Sequence, residues 1–261
     1  MASGPASSCT VGCLVVVDLP RLLRWLRRPG RLFRRSLFDL LLPAVCPACG
    51  KPATDLCAAC SKALGWRPER SCRRCGEATA EAGASCGSSH DELRNLVRLV
   101  APWRYAGTGG ALVRRFKLDG NLAAGRILAR GVADSWRAAM PRGWGRAVLV
   151  PVPLHKSRRK VRGFDQAAWL AAAVARRMRA PVAVDCLRRS RPTLPQGDPR
   201  NRSRQVNVAG AFVVRQADRV RGRRVVLVDD VFTSGATMRQ CARQLLEAGA
   251  LEVAALAACR S

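Results

Sequence analysis

The chain has 261 residues, 48% of them hydrophobic and 5% aromatic, and its mean hydropathy of −0.05 is ordinary for a globular protein. Its 46 Lys and Arg residues outnumber the 18 acidic ones, and the formal net charge of +28 favours a polyanionic partner, whether nucleic acid, phosphorylated metabolite or anionic membrane. No stretch approaches the ~20 apolar residues that cross a bilayer. The short apolar run Val11–Val17 lacks the preceding basic segment of a secretory signal. These two features predict a cytoplasmic protein without a membrane span.

Residues 1–36 are rich in arginine and are interrupted by proline and glycine, which predicts a poorly ordered segment. Within them, leucines alternate with arginines over residues 21–28, so a basic amphipathic helix that contacts a membrane or nucleic acid is the alternative. Only five of the 46 basic residues are lysines. Because codon usage in a GC-rich genome also produces such a composition, the charge alone identifies no partner.

Residues 37–92 contain a block of potential metal ligands. Two C-x-x-C pairs offer four thiolates at a spacing that suits one tetrahedral zinc ion, and the predicted ligands are Cys46, Cys49, Cys57 and Cys60. Disulfide bonds would suit a secreted protein, and no export signal is visible. The spacing therefore predicts a structural zinc module.

A second set of ligands follows in the same block. Three cysteines, Cys72, Cys75 and Cys86, would need His90 as the fourth ligand. A second zinc site and unliganded thiols are both compatible with this spacing. Three further cysteines lie in apolar surroundings and are predicted core residues: Cys186, Cys241 and Cys259.

From residue 93 onward, apolar strands alternate with helical periodicity, which predicts βαβ units and an open, mostly parallel α/β sheet flanked by helices. The predicted strands are residues 147–152, 182–187, 211–214, 223–230 and 251–258, and the predicted helices are residues 112–116, 122–139, 166–178 and 236–248. In such sheets ligands bind beyond the carboxyl ends of the strands.

The most informative segment is an apolar strand that ends in Asp229 and Asp230 and continues into a small, hydroxyl-bearing loop before a helix. Backbone N–H groups and hydroxyls of this loop can hold a phosphate at the helix N-terminus, and Gly235 allows close backbone approach. The predicted phosphate-binding residues are consecutive: Val231, Phe232, Thr233, Ser234, Gly235, Ala236 and Thr237. Two carboxylates do not suit phosphate, but they suit vicinal ribose hydroxyls or a Mg²⁺ ion bridging them. Helix capping alone does not require this whole set of residues.

This segment resembles the phosphoribosyl pyrophosphate loop of type I phosphoribosyltransferases. The chain from about Leu37 resembles the ComF family, competence-associated proteins with an N-terminal zinc module and a phosphoribosyltransferase-like domain. The matching motifs are Tyr105-Ala-Gly107, Phe116-Lys-Leu-Asp-Gly120, Val150-Pro-Val-Pro-Leu154, Arg162-Gly-Phe-Asp-Gln166, Thr193-Leu-Pro-Gln196, Arg204-Gln-Val-Asn-Val208 and Ala211-Phe212. Two positions differ from the family pattern: Asp165 stands where the family usually has asparagine, and a cysteine usual near Ser89 is missing.

The resemblance implies that the protein binds phosphoribosyl pyrophosphate with Mg²⁺, transfers the phosphoribosyl group to an unknown acceptor and acts in DNA uptake or natural transformation. Asp229 and Asp230 would hold the ribose hydroxyls and the metal. Arg162, in the basic segment 156–162, would close over the diphosphate. The resemblance thus implies three catalytic residues and a phosphate loop.

Two other functions remain compatible with these features, because a binding fold does not guarantee catalysis. The protein could be a non-catalytic accessory factor, or a zinc-dependent protein that binds single-stranded nucleic acid or competence proteins. Aromatic residues, on which single-stranded bases commonly stack, are scarce. The predicted organisation is a poorly ordered segment over residues 1–36, a zinc module over residues 37–92 and a phosphoribosyltransferase-like domain over residues 93–261.

Overall fold

A computed structural model describes residues 44–65, 70–81, 84, 86–87, 89–140, 142–154, 163–190 and 210–261. The N-terminal segment 1–36, Arg162 and the two motifs within residues 193–208 lie outside the described residues, so the predictions for them are not addressed by the structure. None of the helices in the described ranges is long and apolar enough to cross a membrane.

Five strands form a parallel sheet in the described part of the chain: β1 (Leu99–Val100), β2 (Trp103–Arg104), β3 (Val148–Pro151), β6 (Arg224–Phe232) and β7 (Glu252–Arg260). Strand β6 lies between β3 and β7, and both β1 and β2 pair with the far side of β7. Parallel strands covered on both faces are continuous apolar runs, and Val225–Val228 of β6 is fully buried. The predicted parallel α/β sheet is confirmed.

Helices flank this sheet: α1 (Ala58–Leu64), α2 (Gly107–Leu118), α3 (Leu122–Ala139), α4 (Gln166–Met178) and α5 (Ala236–Glu247). Asn121 caps α3 and Asp165 caps α4, each accepting a hydrogen bond from a backbone N–H three residues later at 3.0 Å. Both helices begin where these caps place them, so the predicted ranges 122–139 and 166–178 are confirmed. The predicted range 112–116 is part of the longer helix α2.

Two apolar clusters lie on opposite faces of the sheet. One contains side chains of α2, α3 and α4, including Phe116, Leu128 and Leu170, and the other contains side chains of α5, including Leu245. Burying a side chain of this size contributes roughly 1.5–3 kcal/mol. The three cysteines predicted to be core residues, Cys186, Cys241 and Cys259, are fully buried, as expected.

Three strand predictions need correction, and one of them is β7, which was predicted over residues 251–258 and is observed over Glu252–Arg260. The run 182–187 was predicted as one strand, but Val182 makes a single parallel bridge to Leu149 and a turn follows. The strand begins only at β4 (Leu187–Arg189), which pairs antiparallel with β5 (Phe212–Val214) in a separate two-stranded sheet. The polar residue Asp185 is exposed in that turn, which interrupts the apolar run.

Strand β6 is also longer than the predicted range 223–230. Its pairing with β7 continues to Phe232, which lies opposite Arg260. The two acidic residues therefore lie within the strand, which continues for two residues beyond the Asp230 at which it was predicted to end. The predicted phosphate loop, which follows Phe232, and Arg260 therefore lie side by side at the carboxyl ends of two neighbouring strands.

Candidate functional site

The carboxyl end of β6 carries two adjacent acids. Successive strand residues point to opposite faces, so Asp229 lies on the α5 face and Asp230 on the α2 face. Asp230 is 5% exposed, and the ammonium Nζ of Lys117 in α2 lies 2.9 Å from its carboxylate. The backbone N–H of Asp230 donates to Oδ1 of Asp229 at 2.8 Å. The two carboxylates are thus held by different partners.

Lys117 is a site residue for which the sequence predicted no role, although it lies within the Phe116–Gly120 motif. The ring of Phe116 packs against Phe164 and Trp169, with centroids 5.5 and 5.2 Å away. Gln166 also donates to the carbonyl oxygen of Lys117 at 3.4 Å. These contacts hold the end of α2 so that Lys117 meets Asp230. The Phe116–Gly120 motif contains Lys117, but only the structure shows that Asp230 is the partner of this lysine.

The electrostatics of Asp229 differ from those of an ordinary carboxyl group. Burial, followed by the negative charge of Asp230, raises the pKa of Asp229 from 3.8 to about 7. Lys117 acts in the opposite direction, and the charge of Asp165 adds a smaller increase. Asp165 caps α4 as an asparagine would, but unlike asparagine it brings a negative charge to the site. Near neutral pH, Asp229 can therefore take up or release a proton.

The predicted phosphate-binding residues, 231–237, are divided among three elements: Val231 and the buried Phe232 end β6, residues 233–235 form the connecting loop, and Ala236 and Thr237 begin α5. The hydroxyl Oγ of Ser234 is buried and has no hydrogen-bond partner among the described residues. Leaving a buried hydroxyl unpaired costs about 1–3 kcal/mol, so a phosphate oxygen at this position would supply the missing acceptor. The loop thus has the donors expected of a phosphate site.

Gly235 has a φ of 70°, in the left-handed region that favours glycine. A Cβ atom here would also overlap the carbonyl oxygen of Glu92. The sequence predicted that Gly235 makes room for a ligand, but in the structure the close neighbour is the protein's own backbone. Glycine is therefore required here by its φ and by the neighbouring backbone of Glu92, and its predicted role beside a phosphate stays a prediction.

The cysteine block contains two short turns, each built on one C-x-x-C pair and here called knuckles: residues 46–51 and residues 72–77. The two knuckles have the same pattern of backbone hydrogen bonds. In the first knuckle, the backbone N–H of Cys46 donates to the carbonyl oxygen of Lys51 at 2.7 Å. The backbone N–H of Gly50 donates to the carbonyl oxygen of Cys46 at 2.8 Å. Gly50 has a φ of 78°, which the turn requires. The second knuckle repeats both bonds and the positive φ at Cys72, Gly76 and Glu77. Each C-x-x-C pair is therefore held in a preformed turn.

Each knuckle belongs to a group of four possible metal ligands, whose ligand atoms all lie within 4.8 Å of one another: Cys46, Cys49, Cys57 and Cys60, and Cys72, Cys75, Cys86 and His90. Zinc–sulfur bonds of about 2.3 Å in a tetrahedron place the sulfurs about 3.8 Å apart. The Sγ atoms of Cys49 and Cys57 are 3.7 Å apart, and those of Cys75 and Cys86 are 3.4 Å apart. Both groups fit a tetrahedral zinc ion.

The structure therefore brings together the second ligand set that the sequence left open. The ring nitrogen Nε2 of His90 lies 3.1 Å from Sγ of Cys86 and 3.5 Å from Sγ of Cys72. His90 is buried and adopts a left-handed φ of 57°, unusual for a residue other than glycine. Its imidazole thus supplies the fourth possible ligand atom of this group.

The first cysteine of each knuckle has a lowered pKa. Burial by itself raises the pKa of Cys46 and of Cys72, but backbone N–H groups that donate to each sulfur outweigh burial and lower each pKa to about 6. The thiolate is the form that binds metal. The backbone therefore favours the thiolate at the first cysteine of each knuckle, whereas a hydrogen bond with Cys49 raises the pKa of Cys60 and burial raises the pKa of Cys75.

Two protein families match the chain. Residues 37–89 match the double zinc ribbon domain, and residues 165–261 match the phosphoribosyl transferase domain. The first match covers both knuckles up to the residue before His90, and the second covers α4 to the C-terminus, including the two acids and the loop. The zinc-binding module and the phosphoribosyltransferase-type fold are therefore confirmed.

Curated relatives match over a larger part of the chain. DNA utilization protein YhgH of Escherichia coli is 29% identical over 231 residues, which covers 85% of this chain and 99% of that protein. Competence protein F of Haemophilus influenzae is 28% identical over 206 residues, which covers 76% and 87% of the two chains. Competence protein ComFC of Bacillus subtilis is 32% identical over 102 residues, 39% of each chain.

Solved structures also match part of the chain. One, described as the allosteric regulatory enzyme of purine biosynthesis, covers 51% of this chain and 25% of its own, with 23% identity and a TM-score of 0.34. Another, the protein TT1426 from Thermus thermophilus, covers 52% of this chain and 83% of its own, with 18% identity and a TM-score of 0.31.

Proposed function

Because this chain belongs to the ComF family, with a double zinc ribbon before a phosphoribosyltransferase-like domain, we propose that it binds phosphoribosyl pyrophosphate together with Mg²⁺. The observation that carries this proposal is one continuous segment of β6 and α5. It places Asp229 and Asp230 directly before a glycine-containing loop at a helix N-terminus. A ribose phosphate needs both kinds of group, since its hydroxyls bind carboxylates and its phosphate binds N–H donors.

Each part of the segment has a separate task in this proposal. The loop N–H groups, the positive end of α5 and the unpaired hydroxyl of Ser234 bind phosphate oxygens. Asp229 and Asp230 bind the ribose hydroxyls and the Mg²⁺ ion. Arg162, outside the described residues, is proposed to cover the diphosphate. Lys117 keeps Asp230 paired until the ligand arrives.

If the protein is a transferase, the bond from the ribose C1 atom to the pyrophosphate oxygen breaks, and pyrophosphate leaves with the electron pair. A bond from C1 to a nucleophilic atom of the acceptor then forms, and the acceptor loses a proton. Positive charge develops on the sugar in between, and Asp229 and Asp230 stabilise it because both are close and largely shielded from water. Incubation with a library of bases, with pyrophosphate release as the readout, tests this step and separates a transferase from a non-catalytic binding protein.

The direct test of the proposed function is calorimetric titration of the full-length protein with phosphoribosyl pyrophosphate, with and without Mg²⁺. We expect saturable binding that is tighter with Mg²⁺, because Asp229 and Asp230 would hold the metal and its charge would offset that of the diphosphate. Ribose 5-phosphate serves as a control that lacks the diphosphate and should bind more weakly. Absence of binding in the presence of Mg²⁺ would contradict the proposal.

We expect the affinity for phosphoribosyl pyrophosphate and Mg²⁺ to rise with pH up to about 7 and then to level off. The pKa of Asp229 is raised to about 7, so below that pH the carboxyl must release a proton before it can bind metal. The charged groups that act on Asp229 are Asp230, Lys117 and Asp165. Asp165→Asn keeps the cap of α4 and removes one negative charge, which should lower the pKa of Asp229 and move the midpoint to lower pH.

Calorimetric titrations between about pH 5 and pH 8 measure this dependence. Asp229→Asn is the control, because it retains the ligand's own titration and lacks the carboxyl. A pH profile of the wild type that parallels that of Asp229→Asn would show that Asp229 does not titrate on binding.

A second candidate function is the binding of single-stranded DNA, which the net charge of +28 favours and which relatives named for competence and DNA utilization make relevant. We expect deletion of residues 1–36 to weaken DNA binding measurably at about 150 mM salt and to leave phosphoribosyl pyrophosphate binding unchanged. Neutralising phosphates releases counterions, so the logarithm of affinity should fall steeply with that of salt concentration.

Fluorescence anisotropy with a labelled oligonucleotide measures this affinity. A full-length variant with the arginines of residues 21–28 replaced by glutamine is the matched control, since it changes charge without changing length. If DNA binding is absent from the full-length protein at physiological salt, composition alone accounts for the charge and the DNA function is rejected.

A further inference from the structure

The second metal cluster, Cys72, Cys75, Cys86 and His90, is separated from the phosphate loop by one short turn. His90 leads directly into the 3-10 turn Asp91–Leu93, and the N–H of Leu93 donates back to the carbonyl of His90 at 2.8 Å. The side chain of Leu93 is fully buried in the same apolar cluster as Phe232 and Ala236, which flank the loop. Two ligands of the metal cluster, Cys72 and Cys75, belong to this apolar cluster as well, so the metal cluster and the loop pack against one core.

The backbones of the turn and the loop are in direct contact. A Cβ on Gly235 would overlap the carbonyl oxygen of Glu92 and would lie 2.8 Å from the ring carbon Cζ of Phe232. Gly235 immediately precedes α5, where phosphate-binding N–H groups begin. A shift of the Glu92 carbonyl therefore changes the space in which the loop holds its conformation.

Two arginines brace the turn from the sheet domain. Arg239 of α5 donates to the carbonyl of Asp91 at 2.9 Å. Arg260, at the end of β7, donates to the Glu92 carboxylate and to the carbonyl of the metal ligand Cys75, both at 3.2 Å. The side chain of Arg260 is only 19% exposed, so these charge-assisted bonds are better shielded from water than a surface pair.

The first knuckle makes different contacts. Its polar contacts connect Asp55 to Arg130 of α3 at 3.3 Å, and the carbonyl of Gly65 to the indole N–H of Trp103 at 3.1 Å. The apolar side of this knuckle packs with α2, α3 and α4 and not with the cluster that contains Phe232. The second knuckle therefore packs in the same apolar cluster as the residues that flank the phosphate loop, and the first knuckle packs in the other cluster.

We propose that the Cys72–Cys75–Cys86–His90 cluster positions the phosphate loop: metal bound through His90 holds the Asp91–Leu93 turn, and the turn holds Gly235 in the phosphate-binding conformation. The inference rests on the proposed phosphoribosyl pyrophosphate site. In this arrangement His90 and Glu92 are positioning residues, since they act on the ligand only through the loop. Loss of the second metal ion then lowers ligand affinity without removing any ligand-contacting group.

Ligand variants of the two knuckles test the coupling. His90→Ala should lose one zinc ion per chain and bind phosphoribosyl pyrophosphate and Mg²⁺ about tenfold more weakly, within the usual range of coupling between two sites. His90→Cys restores four ligands and should recover zinc and affinity together. Cys60→Ser also loses one zinc ion, but its loss of affinity should be clearly smaller. Equal losses in His90→Ala and Cys60→Ser would overturn the proposal, as would any His90 variant whose zinc content and affinity diverge.

Glu92→Gln separates positioning from simple electrostatics. Removing a negative charge beside a phosphate site should tighten binding if charge alone matters. Replacing the charge-assisted bond from Arg260 by a weaker neutral one should weaken binding if Glu92 positions the loop. We expect weaker binding. The matched control is Glu252→Gln, which breaks the 2.6 Å ion pair with Arg224 at the opposite end of β6 and β7, and should bind as the wild type does.

Hydrogen exchange keeps this test independent of the proposed function. The amides of residues 233–239 should exchange faster in His90→Ala than in the wild type or in Cys60→Ser, with no ligand present. If the wild type fails to bind phosphoribosyl pyrophosphate, the proposed function is wrong, but faster loop exchange still supports the coupling. Unchanged loop exchange in zinc-depleted His90→Ala would overturn the coupling whatever the ligand is.

Discussion

Replacing Asp229 and Asp230 together by asparagine is expected to abolish the binding of phosphoribosyl pyrophosphate and Mg²⁺ while the fold remains intact. Removing each charge-assisted hydrogen bond or metal ligand costs roughly 1.5–3 kcal/mol. Two such removals correspond to an affinity roughly 10²- to 10⁴-fold lower. Calorimetric titration against the wild type measures this change. Unchanged affinity in the double variant would show that the acids are not at the binding site.

Asparagine is preferred to alanine because Asp230 is buried against Lys117. Alanine would leave a cavity beside Lys117 and remove the hydrogen-bond acceptor of its partly buried ammonium group, and leaving such a donor unpaired is costly. Asparagine keeps the shape and an acceptor oxygen. Asp185→Asn, at an exposed turn residue, is the matched control and should bind normally. Circular dichroism and zinc content confirm that each variant is folded.

Removal of zinc is expected to unfold the cysteine-rich module. Structural zinc supplies apparent binding free energies of about 10–16 kcal/mol in small zinc-binding peptides, comparable with or above the roughly 5–15 kcal/mol by which whole domains are stable. Protein purified without added metal should contain two zinc ions per chain, since both ligand groups fit a tetrahedron. Thermal unfolding followed before and after chelation should show the loss of stability.

Single substitutions assign the metal to its ligands. Cys49→Ser and Cys75→Ser should each remove one zinc ion per chain. Cys186→Ala, which changes a buried core cysteine outside both groups, should retain two. Elemental analysis distinguishes zinc from iron. Protein that carries neither metal, or one ion that both substitutions remove, would contradict the two-site arrangement.

The sequence predicted features that depend on short spacings. A C-x-x-C pair needs only one turn to bring two sulfurs together, so the first zinc site could be recognised from Cys46, Cys49, Cys57 and Cys60. The helices that begin after Asn121 and Asp165 were predicted to the residue because a cap and an apolar stripe act within one helix. The acids and the loop were recognised because they lie on one continuous segment.

Predictions failed where local pattern and tertiary pairing compete. The range 182–187 has enough apolar residues for a strand, yet only Val182 finds a partner on β3. The extension of β6 to Phe232 depends on β7, which supplies the opposite row of hydrogen-bonding groups. Strand ends are therefore decided by neighbours that local sequence does not specify.

The sequence by itself determined which functional groups lie together along the chain: thiolates at the spacing of zinc ligands, two adjacent carboxylates and a small hydroxyl-bearing loop before a helix. Only the tertiary structure decided that His90 completes the second metal group, that Lys117 pairs with Asp230 and that Glu92 lies against Gly235. Lys117 and Asp230 are far apart in the chain, and periodicity carries no information on which distant segments meet. The contact of Lys117 with Asp230 results from the packing of α2 onto one face of the sheet. The contact of Glu92 with Gly235 lies beside the second knuckle, which packs with the apolar cluster on the other face.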